Sequence, residues 1–404
     1  MKKYLPVILI LLVIHLLLLI NLRFTAWPEM ISFPFLYNHN YIIYKDMFHA
    51  YPPALTILLS IVYKFFGYQL IVLKVTTWLI IIANDVLIFF IVRKLTKNIR
   101  RSIVSVFCYV LVQPFLEGNM LWYDLAIVPA ILLATLTLLN RKYFLAGLFF
   151  AVAALTKQNT ALFLIITAPY LAFAERNIRK LLLYLACPFI IGTVFIIKLI
   201  TEFSLTDFLN WTLIYPAKYW TKFPGYVQMV LTGRQWLVMV LLSLPAVILL
   251  FRKVNLSLIT YYLIALVLVY PRFSFFHFQA GIAFAAILFG LILNYSKNRF
   301  LLPAFLFTML FIVVSFPVLK TDWQKETRFW GKEEIKTAQL ISNSTESDES
   351  IYLMGIQSAL YVFANRLPPK PWVDNYSWFF EIPGVQEEII QRWEENKPKV
   401  VFTN

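Results

Sequence analysis

The chain has 404 residues, of which 60% are apolar and 14% charged, with a formal net charge of +15. That charged fraction is about half of what an ordinary soluble domain carries and places the chain among membrane proteins. A nucleic-acid binder would gather its cations on one face of a soluble domain, whereas here they sit in short loops between apolar runs, so nucleic acid is excluded as a partner.

Behind Lys2-Lys3, the first apolar run, 5-22, is too long for a signal peptide and Phe24-Thr25-Ala26 is a poor cleavage site, so an uncleaved anchor is expected. The basic residues recur at Lys2-Lys3, Arg93 to Arg101, Arg141-Lys142, Arg176 to Lys180, Arg252-Lys253 and Lys297 to Arg299. This is the positive-inside pattern, in which basic loops stay cytoplasmic. With Lys2-Lys3 inside, the first span runs outward and 23-68 forms the first outer loop.

Within that loop, Ala54 to Phe66 has only 13 apolar-rich residues, too few for the roughly 20 that a spanning helix needs. Thr56, Ser60 and Lys64 recur every four residues and share one helix face. The spacing predicts an in-plane helix started by Pro52-Pro53 and ended by Gly67. The second span is then 69-92, followed by 102-116, 121-139, 143-156, 160-174, 181-200, 235-251, 255-270, 273-294 and 300-319. This makes about 11 transmembrane helices, and every basic cluster falls inside. Counting 54-66 as a crossing would move all later clusters outside. Two short spans, 143-156 and 160-174, meet at Thr156-Lys157-Gln158-Asn159 on the outer side, and broken helices of this kind are tolerated where they line a polar cavity.

Composition changes at Lys320: the last 85 residues hold 13 of the 21 acidic residues. A small extracytoplasmic α/β domain is expected over 320-404, beside a bundle over 1-319. Ile351 to Met354 and Val400 to Thr403 read as strands, Gln357 to Phe363 and Val385 to Glu395 as helices. Cys108 and Cys187 fall inside apolar spans, where a thiol behaves as a small hydrophobe, and no disulfide is expected.

Before position 320 there are only eight acidic residues. One of them, Asp46, follows the first crossing, on the side away from the basic loops, and reads as the centre of an outward-facing active site. Its companions outside include His49, Tyr51, Glu117, Asp124, Lys157, Gln158, Arg234, Arg272 and His277. Ionisable residues at membrane depth usually face a bundle interior or a water-filled path. Cations such as Lys157, Arg272 and Arg234 suit a phosphate or pyrophosphate, aromatics suit sugar rings and prenyl chains, and a carboxylate can take a proton from an attacking hydroxyl or amine. The bland readings are a snorkelling Lys157, an aromatic belt around Arg272, an exposed loop histidine at 49, and an Asp46 that caps a helix or pairs with Lys45. Of Glu117 and Asp124, one is expected as a cavity carboxylate and the other as a loop charge. Asp85, deep in the second span, is expected to hydrogen-bond a neighbouring helix. There is no Gly-x-Ser-x-Gly elbow, no Gly-rich phosphate loop and no cluster at metal-ligand spacing, which argues against an acyl hydrolase or a nucleotide-driven pump.

Tyr44-Lys45-Asp46-Met47-Phe48-His49-Ala50-Tyr51-Pro52-Pro53, the segment ending Lys64-Phe65-Phe66-Gly67, Ala154-Leu155-Thr156-Lys157-Gln158, Pro271-Arg272-Phe273 and Phe278-Gln279 together resemble the polytopic glycosyltransferases of GT-C fold. That group includes protein O-mannosyltransferases and aminoarabinose transferases. The resemblance implies a polyprenyl-phosphate-linked sugar donor, a lipid, glycan or protein acceptor, inversion at the anomeric centre, and Asp46 as general base. Many relatives carry paired acids in the first loop; here Lys45 precedes Asp46 and no acid adjoins it. A divalent metal is therefore not indicated, since a lone carboxylate is a poor site. A lipid-linked sugar flippase would instead show mid-membrane helix breaks and pseudo-symmetric halves, and a non-catalytic scaffold would only present its tail to a partner.

Overall fold

The computed structural model describes residues 2-174, 177-293, 301-395 and 397-403. Of the basic clusters, Arg176 and Lys297 to Arg299 lie outside the described residues. Each of the eleven expected spans is a helix: Leu5–Asn21, Leu70–Thr96, Ile99–Val112, Tyr123–Leu139, Tyr143–Thr156, Ala161–Ala174, Ile178–Thr201, Gly233–Phe251, Leu256–Val267, Gln279–Ile292 and Leu301–Asp322. Among the described residues, five stretches are long and apolar enough to cross a membrane by length and composition: Leu70–Thr96, Ile178–Thr201, Gly233–Phe251, Phe275–Ile292 and Ala304–Asp322. The protein is an α-helical, multi-pass membrane protein with a small two-stranded sheet.

The chain forms two compact units, one of Met1–Phe24, Val75–Ile191 and Gln228–Lys325, the other of Thr25–Lys74, Gly192–Val227 and Glu326–Asn404. In the first unit every residue of Gln279–Ile292 is buried. An apolar helix buried all round is the core of its bundle. Its neighbour Ile99–Val112 comes so close that a Cβ on Gly290 would stand 1.8 Å from Ser105 Oγ. The first helix buries Leu11, His15 and Leu19 on one face and leaves Leu9, Ile10, Val13, Leu17 and Ile20 exposed. An apolar exterior over a face containing a polar residue is the inverse of a soluble helix and matches a lipid environment.

Several polar residues turned inward bond to one another, while the buried Asp85 Oδ1 has no hydrogen-bond partner among the described residues. His15 Nδ1 lies 2.7 Å from Asp85 Oδ2, and its Nε2 3.3 Å from Gln113 Oε1. Gln113 Nε2 donates to Gly118 O and to Gln279 Oε1, and Gln279 Nε2 to Leu116 O and Phe275 O. All four side chains are buried, so Asp85 makes the interhelical bond expected of it.

In the second unit Ala54–Phe66 is a helix, with Pro53 as its N-cap and Gly67 as its C-cap at φ 77°. The positive φ suits glycine, which lacks the Cβ that penalises that region. Thr56 and Ser60 are buried, while Leu58, Ile61, Phe65 and Phe66 are exposed. Lys64 parts from the other two polar residues and is exposed. The C-terminal strands are as expected, Ile351–Met354 pairing in parallel with Val400–Thr403 from Ile351 opposite Val400 to Met354 opposite Thr403. The helices Ala359–Phe363 and Val385–Glu395 accompany them. Buried Arg366 ties this region together by donating to the carbonyls of Ser342, Ala364, Asn365 and Thr345 and to Thr345 Oγ1.

Candidate functional site

Asp46, His49 and Tyr51 belong to the second unit; Glu117, Asp124, Lys157, Gln158, Arg234, Arg272 and His277 belong to the first.

Asp46 sits in a tight turn. Its N–H donates to Ile42 O at 2.8 Å, and the Ile42 N–H returns to Asp46 Oδ2 at 3.1 Å. The turn is drawn against a C-terminal segment: Trp372 N–H donates to Asp46 O at 3.0 Å and Phe48 N–H to Trp372 O at 2.8 Å, with Met47 and Trp372 forming a parallel bridge. That pairing brings Lys370 onto the carboxylate. Its Nζ donates to Asp46 Oδ2 at 3.0 Å and to Asn40 O at 2.8 Å, and lies 4.4 Å from the centre of the Tyr41 ring. Two donors therefore share Oδ2, and Oδ1 takes part in neither bond. The Asp46 side chain keeps 18% of its surface exposed. The partner considered from sequence, Lys45, has its ammonium 5.5 Å from the Phe203 ring centre.

His49 is fully buried, with Nδ1 2.5 Å from Tyr51 O and Nε2 2.7 Å from Thr56 Oγ1. Burial pushes its pKa down to about 4, since a low-dielectric surrounding disfavours the imidazolium. The ring is therefore neutral and pins the loop to the helix Ala54–Phe66. Tyr51 contributes its carbonyl, which also accepts from Tyr44 OH at 2.9 Å.

In the first unit, Asp124 opens the helix Tyr123–Leu139 and is 1% exposed. Lys157 Nζ donates to its Oδ1 at 2.6 Å, and His277 Nδ1 lies 2.9 Å from its Oδ2. Lys157 caps the helix Tyr143–Thr156 in extended conformation and is itself 6% exposed. It is thus a buried ion-pair partner and not a snorkelling surface lysine. Glu117 is exposed at φ 53° and accepts from the Phe276 N–H at 3.1 Å, beside His277. Asp124 is thus a buried, ion-paired carboxylate and Glu117 an exposed loop charge. Gln158 is half-buried on the turn that follows Lys157. Arg272 donates to Gln228 Oε1 at 3.3 Å. Arg234 is engaged with backbone, through Nε to Val313 O and a terminal nitrogen to Val314 O, both at 3.2 Å.

Lys370, His15 and Gln113 escaped the sequence reading. For Lys370 one signal was present. Leu367-Pro368-Pro369-Lys370-Pro371-Trp372 is too rich in proline for a helix and must run extended, ready to pair with a loop. Among the described residues no group of three His, Cys, Asp or Glu could hold a metal ion.

No family model and no curated protein matches the chain. Solved structures do. The Archaeoglobus fulgidus oligosaccharyltransferase, in complex with zinc and sulfate, aligns over 90% of this chain and 62% of its own at 12% identity and a TM-score of 0.57. This chain thus spans less than two thirds of that protein. ArnT from Cupriavidus metallidurans in the apo state aligns over 98% of this chain and 91% of its own, at 11% identity and a TM-score of 0.60. The same protein bound to undecaprenyl phosphate gives 100%, 90%, 12% and 0.61. The chain therefore shares the GT-C fold with both proteins.

Proposed function

We propose that this protein is a membrane glycosyltransferase that moves a sugar from a polyprenyl phosphate to a hydroxyl or amine on the extracytoplasmic side of the plasma membrane. The observation that carries the reading is the Asp46 carboxylate, held on Oδ2 by the Ile42 N–H and Lys370, with Oδ1 left to receive a proton. Support comes from the fold shared with ArnT, whose structure has been solved with undecaprenyl phosphate.

In the proposed step Asp46 Oδ1 takes the proton of the acceptor group as its oxygen or nitrogen bonds to the anomeric carbon from the face opposite the phosphate. The bond from that carbon to the phosphate oxygen breaks, its electron pair stays with the oxygen, and polyprenyl phosphate leaves with the anomeric centre inverted. Charge grows on that oxygen in the transition state, so cations placed to meet it lower the barrier. Among the cations of the first unit, Lys157 and Arg272 are the candidates for contact with a polyprenyl phosphate. Arg234 is left out because its guanidinium holds backbone carbonyls. No step passes through a metal, since Asp46 has a lysine on it and no adjoining acid, a poor donor set for a divalent cation.

The test incubates purified protein with undecaprenyl-phosphate-linked glucose, galactose, mannose and aminoarabinose in a membrane extract that supplies acceptors. The reading expects one donor to be converted to undecaprenyl phosphate with its sugar appearing on an acceptor. A flippase would move the lipid without forming a glycosidic bond, and a scaffold would leave every donor intact.

A further inference from the structure

We infer that Lys370 is a positioning residue for Asp46, so that the C-terminal segment completes the active site. The inference rests on the glycosyltransferase reading for its functional half and on geometry alone for its structural half.

Lys370 lies 324 residues from Asp46 in sequence, yet its ammonium makes a 3.0 Å contact with one carboxylate oxygen. It is not a loose surface pair. The same Nζ donates to Asn40 O and sits over the Tyr41 ring, so three partners from the Asp46 loop define its place. The backbone on either side is fixed as well, through the Trp372 bonds to Asp46 and Phe48. A carboxylate free to rotate would offer either oxygen in either direction. With Ile42 N–H and Lys370 both on Oδ2, rotation about the side chain breaks two bonds, and Oδ1 is held in one orientation. Charge-assisted bonds are the stronger kind and add geometric definition, and a base misplaced by about 1 Å costs on the order of 10²-fold in rate.

The other groups facing Asp46 are the Tyr41 ring and backbone, and Lys45 is directed to Phe203, so the placement of the carboxylate falls to Lys370 and the Ile42 N–H.

The experiment uses the full chain in lipid nanodiscs, carrying carboxyl-13C aspartate and ζ-15N lysine. The Asp46 resonance is the one lost in Asp46→Asn, and in wild type it should show a dipolar coupling to a lysine nitrogen that disappears in Lys370→Met. With whichever of the four donors above is used, Lys370→Met should lower kcat about 10- to 100-fold with an unchanged donor KM. Lys370→Arg serves as the folded control should the Met variant prove unstable: by keeping the charge but changing its geometry, it should also lower kcat at unchanged donor KM. Absence of the coupling in wild type, or a kcat equal to wild type in both variants, overturns the positioning role. If wild type consumes no donor while the coupling is present and is lost in Lys370→Met, the glycosyltransferase reading fails and the contact stands.

Discussion

Arg234 donates from Nε to the carbonyl of Val313, the oxygen that Pro317 leaves without its usual helical partner. A proline inside a helix has no N–H to return to the residue four before it, and an orphaned carbonyl in a lipid-embedded helix is costly. Arg234 supplies that donor and adds a second bond to Val314 O, joining the helices Gly233–Phe251 and Leu301–Asp322 at one defined height. Arg234→Ala should therefore lower stability by about 1 to 3 kcal/mol, seen as a drop in Tm in detergent. Pro317→Ala, which restores the N–H, should recover part of the loss. Affinity for undecaprenyl phosphate should be unchanged in both.

Lys157 calls for a different pair of variants. Its ammonium lies on a carboxylate that is almost wholly buried, and removing one member of a buried pair strands the other charge, at a cost of about 3 to 5 kcal/mol. Lys157→Ala should be poorly folded for that reason alone. Asp124→Asn with Lys157→Gln removes both charges and should restore Tm, while binding of undecaprenyl phosphate, measured by thermophoresis, stays about 10- to 100-fold weaker than wild type, as expected for loss of a charge-assisted bond. Full recovery of binding in the double variant would make the pair structural only.

The sequence and the structure agree where hydrophobic periodicity and chain punctuation decide. Helices at the eleven expected spans, the helix between Pro53 and Gly67, and the strands Ile351–Met354 and Val400–Thr403 stand where apolar runs, prolines and glycines place them. They part where a partner is brought from far along the chain. Lys370 and Asp46 are 324 residues apart, and although the prolines around Lys370 mark an extended segment, nothing local names its partner. His15 lies in an otherwise apolar run, so its bond to Asp85 appears only once two helices pack. The burial of His49 was equally invisible, since its loop carries prolines, a lysine and an aspartate and reads as exposed. Lys64 left its expected face because the helix turns Thr56, Ser60 and Tyr63 into protein while Lys64, Phe65 and Phe66 at its end stay exposed.

Two acids in the second unit set a pH dependence of stability. Glu29 and Asp374 are both buried, and burial together with the repulsion from Asp374 pushes the Glu29 carboxyl up to about 8 from an ordinary 4.5. Burial raises Asp374 as well. A carboxyl whose pKa is higher folded than unfolded binds more protons in the folded state across that interval. Stability is therefore greatest below pH 4.5 as far as Glu29 is concerned, and falls as pH rises towards 8. Tm of wild type should decline across this window, and Glu29→Gln, which also accepts from Tyr376 OH, should flatten the decline. A slope of the same size in Glu29→Gln would assign the dependence elsewhere.

The proposed orientation, with the basic loops inside, is open to a direct test. Cys108 and Cys187 are buried, so added surface cysteines can be read against a low background. Lys97→Cys, in a basic loop, should resist an impermeant maleimide in intact cells, and Ser347→Cys, in the C-terminal segment, should react. The reverse pattern would turn the bundle over and place Asp46 in the cytoplasm.

The measurement that bears most directly on the central claim is sugar transfer by Asp46→Asn. The amide matches the carboxylate in shape and can still accept the Ile42 N–H and Lys370 at its oxygen, so the variant should fold, insert and bind undecaprenyl phosphate like wild type. It cannot take the acceptor's proton, and a positioned general base contributes about 10²- to 10⁴-fold. The account predicts a loss of transfer of that size, with Tm and carrier affinity unchanged. Transfer at near the wild-type rate by a well-folded Asp46→Asn would contradict it.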